Sequence, residues 1–371
     1  MSTANDAALY PPERLTAVQQ AVRNAGIDVL LLTPGPDLRY VTGYDAKQLE
    51  RLTCLAMPAD GEPFLVVPAL ELKAAEASPA GRLNLDMVPW GETTDPFALV
   101  AQRVGDPRDV ALSDRMWALH VLQFAHALPQ AGQRLASTVL SPLRMRKTPA
   151  EVAALKEAGE AIDRVHANVP RWLKAGQTER QVGVKIAEAI FAEGHISADF
   201  VIVGSGPNAA SPHHEVSDRV IRQGDVVVVD IGGTMPSGYC SDCTRTYAIG
   251  GAPADFAAYY DVLKNAQEAA ANAVKPGVTA EGIDKTARDI IAGAGYGDWF
   301  IHRTGHGIGL ETHEDPYIVE GNTTRLEDGM AFSIEPGIYP GPHGARIEDI
   351  VVCTETGYQR MNNGTRDLVI V

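Results

Sequence analysis

The sequence predicts an α+β protein with a smaller N-terminal α/β domain over residues 1–140 and a larger domain over residues 150–371. Two observations predict this class. The first 140 residues alternate short apolar runs with helical patterns, which is typical of α/β domains. After residue 148 the order helix, helix, strands occurs twice, which suggests a duplicated architecture with a site between its halves. The total of 371 residues fits two such domains.

In the N-terminal domain, a helix is expected to open at Pro11 and Pro12 and to end at Gly26, because its apolar residues follow helical spacing. Residues 33–37 combine proline with glycine and predict a turn. Short apolar runs between turn residues predict buried strands. These strands are expected over residues 27–32, 52–57, 64–67, 86–88 and 110–112.

Residues 141–149 are expected to link the domains, because residues 141–147 are polar and basic without apolar periodicity. Thr148, with a proline next to it and Glu151 three positions on, predicts a helix start. That helix must kink or end near Pro170. Later helices are expected over residues 178–191, 254–274 and 282–294, and strands over 200–203, 226–231, 239–247, 331–335 and 346–353.

Charge and composition exclude several function classes. The chain has 47 acidic and 32 basic residues, a net charge of −15, and so repels nucleic acids and anionic lipid surfaces. Its longest aliphatic run, residues 226–229, is far shorter than the roughly 20 apolar residues that span a bilayer. No signal peptide is visible, and four cysteines do not make a disulfide scaffold. A soluble, cytoplasmic protein is expected.

Three acidic residues, Asp230, Glu335 and Glu348, occupy otherwise apolar strand segments. Burying a carboxylate is costly unless a cation or strong hydrogen-bond donors pair with it. A single case would be explained by a salt bridge to arginine. Several cases beside histidines in glycine- and proline-rich segments favour a divalent metal instead. Carboxylates with one imidazole suit manganese, cobalt, iron or zinc, and bridging carboxylates suit a pair of ions.

Cys240 and Cys243 form a CxxC pattern, which taken alone could be half of a zinc site or a redox pair. On a strand, however, residues three positions apart point to opposite faces, so the two sulfurs cannot share a metal. We therefore expect both to be packing residues. The sequence also contains no Walker phosphate loop, no HExxH zinc helix and no G-x-S-x-G nucleophile elbow.

Four segments, residues 230–247, 305–316, 333–339 and 344–349, together resemble the pita-bread metallopeptidases and occur in the order found in that family. Residues 34–43 resemble a segment of the N-terminal domain of the prolidase (Xaa-Pro dipeptidase) and Xaa-Pro aminopeptidase branch. The resemblance therefore covers the whole chain. It implies a C-terminal duplicated pita-bread (creatinase/aminopeptidase-like) domain and a creatinase/prolidase-type N-terminal domain.

The resemblance also implies two divalent metal ions per chain, with manganese or cobalt favoured over zinc or iron. Asp230 would chelate one ion, Asp242 and Glu348 would bridge both, and His306 with Glu335 would hold the second. Asp230 and Asp242 are twelve positions apart, where the family usually has eleven. We expect the additional residue in the turn at 235–238, where it leaves the facing of both strands intact.

Other residues are expected to contact the substrate. The resemblance favours His213 over His214 for this role, and it places His302 and His313 at the substrate site without a metal-binding role. Arg346 lies two positions before Glu348 and, on a strand, shares its face. It could pair with Glu348 or hold a substrate carboxylate, and the resemblance favours the carboxylate. His343 is expected to be a loop residue.

The expected function is an exopeptidase that hydrolyses Xaa-Pro bonds, most simply an Xaa-Pro dipeptidase. In the expected mechanism a metal-bridging hydroxide attacks the peptide carbonyl, Glu335 shuttles the proton, and His213 and His313 donate hydrogen bonds. The alternatives are an Xaa-Pro aminopeptidase acting on longer peptides and a non-catalytic pita-bread protein that binds peptides. A creatinase-like hydrolase is disfavoured because it lacks the five ligands, and a methionine aminopeptidase because it usually lacks a separate N-terminal domain.

The expected partners are an Xaa-Pro dipeptide or short peptide and a second copy of the chain in a homodimer. Neither nucleic acid nor membrane is expected.

Overall fold

The structure is a computed structural model that describes residues 7–371 and divides the chain into two units after Arg144. The first unit is built on a six-stranded sheet with the order β4-β3-β2-β1-β5-β6. Its central strand β1 pairs in parallel with β5 and antiparallel with β2, and all four of its residues are buried. The strands are β1 Val29–Leu32, β2 Cys54–Pro58, β3 Phe64–Pro68, β4 Asp86–Trp90, β5 Asp109–Leu112 and β6 Gly132–Leu135.

The helices and strands of this unit alternate as expected, with two differences. Residues 33–37 do not form an isolated turn, because Pro36 occupies the first position of a helix that ends at the left-handed Gly43. Strand β6 was not expected, since all four of its residues are exposed and carry no apolar pattern. The helices are α1 Glu13–Asn24, α2 Pro36–Thr42, α3 Leu72–Ala77, α4 Pro96–Val104, α5 Ala118–Ala127 and α6 Ser137–Met145.

Helix α6 occupies most of the segment in which a linker was expected. Its fully buried residues, Val139 and Leu140, precede residue 141, and within the polar stretch Met145 packs against an apolar cluster. Only residues 146–148 separate α6 from the next helix.

The second unit, Met145–Val371, contains two halves of similar order, as the sequence predicted. In the first half, two helices and three strands share an apolar cluster that includes Ile162, Val182 and Val229. These elements are α7 Pro149–Trp172, α8 Glu179–Ala192, β7 Ser197–Ser205, β8 Val226–Thr234 and β9 Cys240–Ala248. The strand order of this sheet is β17-β9-β8-β7, in which β17 is the C-terminal strand Val369–Ile370.

The second half repeats two helices before its strands and has its own apolar cluster, which includes Leu263, Ile283 and Phe332. Its main sheet has the order β11-β10-β12-β15-β16, and β13 pairs with β14. The elements are α9 Phe256–Asn272, α10 Ala280–Gly293, β10 Gly305–Gly307, β11 Glu314–Ile318, β12 Ala331–Ile334, β13 Gly337–Ile338, β14 Ala345–Arg346, β15 Asp349–Thr354 and β16 Gly357–Arg360.

Helix starts and ends follow the local chemistry. Thr148 and Glu151 cap α7 reciprocally, and Thr178 and Gln181 do the same for α8. Helix α7 continues through Pro170 but ends two residues later, at Trp172. Among residues 7–371, none of the helices has the length and apolar character that crossing a membrane requires.

The strand expected over residues 346–353 is interrupted. Residues 345–346 pair with β13, whereas β15 begins at Asp349 and pairs with β12. The break matches one in the facing chain, where Pro336 separates β12 from β13 and has no N–H to donate to a ladder. Glu348 therefore lies between two strands, and strand alternation alone does not decide which way it faces.

Candidate metal centre and substrate site

The hairpin of β8 and β9 brings Asp230 and Asp242 to one face of the four-stranded sheet of the second unit. The pairing runs without a break from Val226 opposite Ala248 to Thr234 opposite Cys240, and it sets Gly232 opposite Asp242. Directly opposed residues share a face, as do residues two apart, so both carboxylates point the same way. The connecting residues 235–239 form a loop in which Met235 N donates to Tyr239 O at 3.0 Å. The two strands pair without a bulge between these residues, which is what the expected placement of the additional residue in the turn requires.

Strands β10 and β12 of the five-stranded sheet position His306 and Glu335. A Cβ atom on Gly305 would lie 1.9 Å from Ser333 O, so glycine is needed for the strands to approach this closely. Ser333 Oγ accepts from His306 N at 3.0 Å and donates to Glu335 Oε1 at 3.2 Å. His306 Nδ1 lies 3.1 Å from Gly307 O, which leaves Nε2 facing Glu335 Oε1 at 3.2 Å and Asp242 Oδ2 at 3.6 Å.

Glu348 is held from β9 rather than by its own strand. Thr244 Oγ1 donates to Glu348 Oε2 at 2.7 Å, and Arg245 Nη1 donates to Glu348 O at 2.6 Å. The next residue, Asp349, is fully buried and is the common partner of three arginines. These are Arg245, Arg360 and Arg366. Glu348 and Asp349 are thus held by residues of β9 and by two arginines near the C-terminus.

The five expected metal ligands meet in one cluster. Candidate ligand atoms of Asp230, Asp242 and Glu348 lie within 4.8 Å of one another, and so do those of His306, Glu335 and Glu348. Glu348 belongs to both groups. A third group joins Asp242 and His306 to His313, which had been expected at the substrate site only.

The electrostatics of the cluster favour a bound cation. Burial and the neighbouring carboxylates raise the pKa of Asp242, and likewise of Glu348, well above its ordinary value. Burial also acts to raise the pKa of Glu335, but the His306 ring lowers it to about 2. Among the described residues, the buried atoms Asp230 Oδ1 and Glu348 Oε1 have no hydrogen-bond partner. Four carboxylates, two of which have an unpartnered oxygen, and one imidazole are a donor set that fits two divalent ions.

Arg346 is buried and its donors face the cluster. Nη2 donates to Asp230 Oδ2 at 2.5 Å and to Pro212 O at 3.1 Å, and Nε donates to Thr244 Oγ1 at 3.2 Å. Nη1 donates to Tyr339 Oη at 2.9 Å. A guanidinium has five N–H groups, so these four contacts leave one of them. Arg346 pairs with Asp230, and not with Glu348 as the structural alternative had suggested.

The two expected substrate-side histidines after residue 300 differ in exposure. His302 is half-buried, and its Nε2 lies 3.0 Å from Tyr339 Oη. His313 is exposed, with its ring edge-on to His306 at 4.0 Å between centroids. Burial lowers the pKa of His302, and burial together with the His306 ring lowers the pKa of His313 to about 4. His313 is therefore neutral near pH 7 and able to donate one hydrogen bond.

His213 and His214 have different surroundings. His213 is exposed. Burial is the largest cause that lowers the pKa of His302 and of His313, and the charge of the His213 ring is a minor further cause for both. His214 turns the other way, and its Nε2 lies 2.8 Å from the buried carboxylate of Glu179. The two neighbours therefore point to different parts of the protein.

Three remaining side chains were expected to have no part in the site. Cys240 and Cys243 are both buried and free, and they have separate neighbours: the Cys240 sulfur lies 3.7 Å from Thr234 Oγ1, and the Cys243 sulfur lies 3.6 Å from Glu348 O. His343 lies in a loop, as expected, but it is buried and its Nδ1 lies 2.6 Å from Tyr259 Oη.

Sequence reasoning assigned no role to two residues that complete the site, Thr244 and Tyr339. Thr244 could have been found, because it lies two positions after Asp242 on the same strand and therefore shares its face. Tyr339 directly follows the short strand β13, and no sequence pattern predicts that its hydroxyl contacts both Arg346 and His302.

A cluster of buried carboxylates with one imidazole is the donor set of a metal-dependent enzyme. Residues 153–355 match metallopeptidase family M24, and residues 14–146 match the creatinase/prolidase N-terminal domain. The chain belongs to metallopeptidase family M24. It is a metal-dependent hydrolase with the expected pita-bread domain, so the resemblance stated from the motifs is confirmed.

Three relatives illustrate the similarity. The crystal structure of dipeptidase PepE from Mycobacterium ulcerans is 53% identical, with a TM-score of 0.93 over 100% of this chain and 99% of that one. A prolidase structure from Thermococcus sibiricus is 36% identical, with a TM-score of 0.90 over 96% of this chain and 98% of the other. The Xaa-Pro dipeptidase of Lactobacillus helveticus is 37% identical over 96% of this chain and 98% of its own length.

Proposed function

We propose that the protein is a two-metal exopeptidase that hydrolyses Xaa-Pro dipeptides. The observation that carries the proposal is the buried cluster in which two groups of possible ligands share Glu348 and two oxygens have no hydrogen-bond partner among the described residues. The substrate class is supported by the names of two relatives, the Xaa-Pro dipeptidase of Lactobacillus helveticus and the prolidase of Thermococcus sibiricus.

Five residues would hold the ions. They are Asp230, Asp242, His306, Glu335 and Glu348, and manganese or cobalt is favoured. When bound, the pair of ions lowers the pKa of water to supply a nucleophile and polarises the peptide carbonyl.

Glu335 is the proposed proton carrier. Its Oε1 lies 3.2 Å from His306 Nε2 at the metal cluster, so the carboxylate could accept a proton from the attacking water there. It then passes the proton to the departing nitrogen. This step matters for an Xaa-Pro bond because the proline nitrogen carries no hydrogen of its own.

His213 and His313 are the proposed hydrogen-bond donors to the substrate and to the oxyanion that develops from its carbonyl. His313 is suited to this role because it is exposed at the edge of the cluster and neutral near pH 7. A donor that is already oriented toward developing charge stabilises the transition state more than the ground state.

The substrate's C-terminal carboxylate is proposed to lie beside Arg346 and His302. In a dipeptide this carboxylate is within one residue of the scissile bond, so a cation at the edge of the cluster favours short substrates. Because four of its N–H groups are already used, Arg346 would act through its remaining N–H and its charge. His302, which lies on the other side of the Tyr339 hydroxyl, would contact the same substrate carboxylate.

The test compares kcat/KM for Ala-Pro, Met-Pro, an Ala-Pro-Xaa tripeptide and the control dipeptide Ala-Leu on one manganese-loaded preparation. We expect both Xaa-Pro dipeptides to be cleaved faster than the tripeptide and faster than Ala-Leu. Faster cleavage of the tripeptide would replace the proposal with an Xaa-Pro aminopeptidase. Equal cleavage of Ala-Leu and Ala-Pro would indicate a general dipeptidase, and no cleavage at all would refute the proposal.

A cytoplasmic location and a homodimeric assembly stay predictions.

A further inference from the structure

Glu179 is the first residue of α8, and its carboxylate is completely buried. It does not cap its own helix, because Thr178 and Gln181 already cap each other reciprocally. Its hydrogen-bond partners instead lie on one neighbouring segment, residues 205–217, which we name the His213 segment. A buried carboxylate directed at a single segment needs another explanation than helix capping.

The carboxylate is saturated by donors from that segment. Oε1 accepts from Ser205 N at 2.8 Å, from Ser205 Oγ at 2.7 Å and from Asn208 Nδ2 at 3.0 Å. Oε2 accepts from Ser217 N at 3.2 Å and Ser217 Oγ at 2.5 Å, and His214 Nε2 lies 2.8 Å away. Burial acts to raise the pKa of Glu179, but these hydrogen bonds lower it to about 2, so the group is ionised at any working pH.

The contacts fix the chain on both sides of His213. Residues 211–217 contain no helix or strand, so no regular ladder holds them. On one side, Pro212 O accepts from Arg346 Nη2 at 3.1 Å, and Arg346 is paired with Asp230. On the other side, the His214 ring contacts Glu179. His213 itself is exposed between these two fixed neighbours.

We propose that Glu179 is a positioning residue, which holds His213 toward the substrate by fixing His214 and Ser217. The inference rests on the substrate role proposed for His213. Without the carboxylate, four polar side chains and two backbone N–H groups lose their common partner, and the His213 segment can leave its position. Such a shift lowers kcat/KM while leaving the metal cluster, which contains no residue of this segment, intact.

The test is a double-mutant cycle with Glu179→Gln and His213→Ala in the manganese-loaded enzyme, measured as kcat/KM for Ala-Pro. We expect Glu179→Gln to lose at least 10-fold alone but less than 2-fold when His213 is already alanine. Metal content should stay at the wild-type value in each variant. The matched control is Asp163→Asn, which also removes a carboxylate that grips a loop, through Asn363 N and Gly364 N, and should change kcat/KM by less than 2-fold.

Equal losses in both backgrounds would overturn the inference, since a purely structural role does not depend on His213. An unchanged kcat/KM in His213→Ala would overturn it as well, because no functional group would remain to be positioned. If Glu179→Gln does not fold, His214→Gln enters the same cycle, because it removes one contact of a half-buried ring.

A crystal structure of Glu179→Gln gives a readout that does not depend on activity. We expect the His213 segment to be displaced while the five ligand side chains keep their positions, and an unmoved segment would overturn the inference. This result would stand even if the wild-type enzyme failed to cleave Ala-Pro, so failure of the proposed function and failure of the positioning role are distinguishable.

Discussion

Replacing Arg346 with methionine separates its structural role from its proposed contact with the substrate. The side chain is buried, and its ion pair with Asp230 is accompanied by hydrogen bonds to Tyr339, Thr244 and Pro212. Removing one partner of a buried ion pair costs about 3–5 kcal/mol of stability. We therefore expect Arg346→Met to unfold at a lower temperature and to be less active on every substrate.

The substrate contact is measured by comparing Ala-Pro with Ala-prolinamide, which has the same scissile bond but no carboxylate. A hydrogen bond to a charged group contributes about 1.5–3 kcal/mol, or about 10-fold to 150-fold. If Arg346 receives the carboxylate, Arg346→Met should lose at least about 10-fold more kcat/KM on Ala-Pro than on Ala-prolinamide. Equal losses on the two substrates would refute this contact and leave Arg346 with the support of Asp230 alone.

Three further predictions concern single side chains. Asp242→Asn should bind fewer than two ions per chain by elemental analysis and lose turnover while its circular dichroism stays that of the wild type; full turnover would remove Asp242 from the ligand set. His313→Ala should lower kcat for Ala-Pro by about 100–1000-fold, as is typical for a lost oxyanion donor, and unchanged kinetics would exclude that role. Burial and the Arg245 charge lower the pKa of His166 in the folded protein from 6.5 to about 3. As the pH falls below 6.5, the His166 ring is therefore protonated in the unfolded chain before it is protonated in the folded protein. Stability should then decrease toward low pH, by about 2 kcal/mol at pH 5, and urea unfolding should show a weaker decrease in His166→Gln; parallel curves would contradict the assignment.

The parts of the fold that sequence predicted are those set by local pattern. The apolar run that begins at Val226 and the pairing of β8 with β9 determine which way the hairpin side chains face. A shift of one residue would have turned Asp242 away, so the pattern specifies the register strongly. Capping residues likewise announced the starts of α7 and α8.

The parts that sequence could not predict depend on contacts between distant segments. All four residues of strand β6 are exposed, and the strand exists because β5 offers it an edge to pair with, which no pattern within residues 132–135 reveals. The interruption at residues 347–348, which includes Glu348, lies opposite the break at Pro336 in the facing chain. Glu179 resembles an ordinary acidic residue in the first turn of a helix, and only the folded chain shows that its partners lie 26 to 38 positions away.

The central claim, a two-metal catalytic centre built from five side chains, is tested most directly by reconstitution. The purified protein is stripped with a chelator and titrated with manganese, while bound metal per chain and kcat for Ala-Pro are measured on the same samples. The account predicts no turnover in the stripped protein and full turnover only as the bound metal reaches two ions per chain. Full turnover without a divalent ion, or a maximum at one ion per chain, would contradict it.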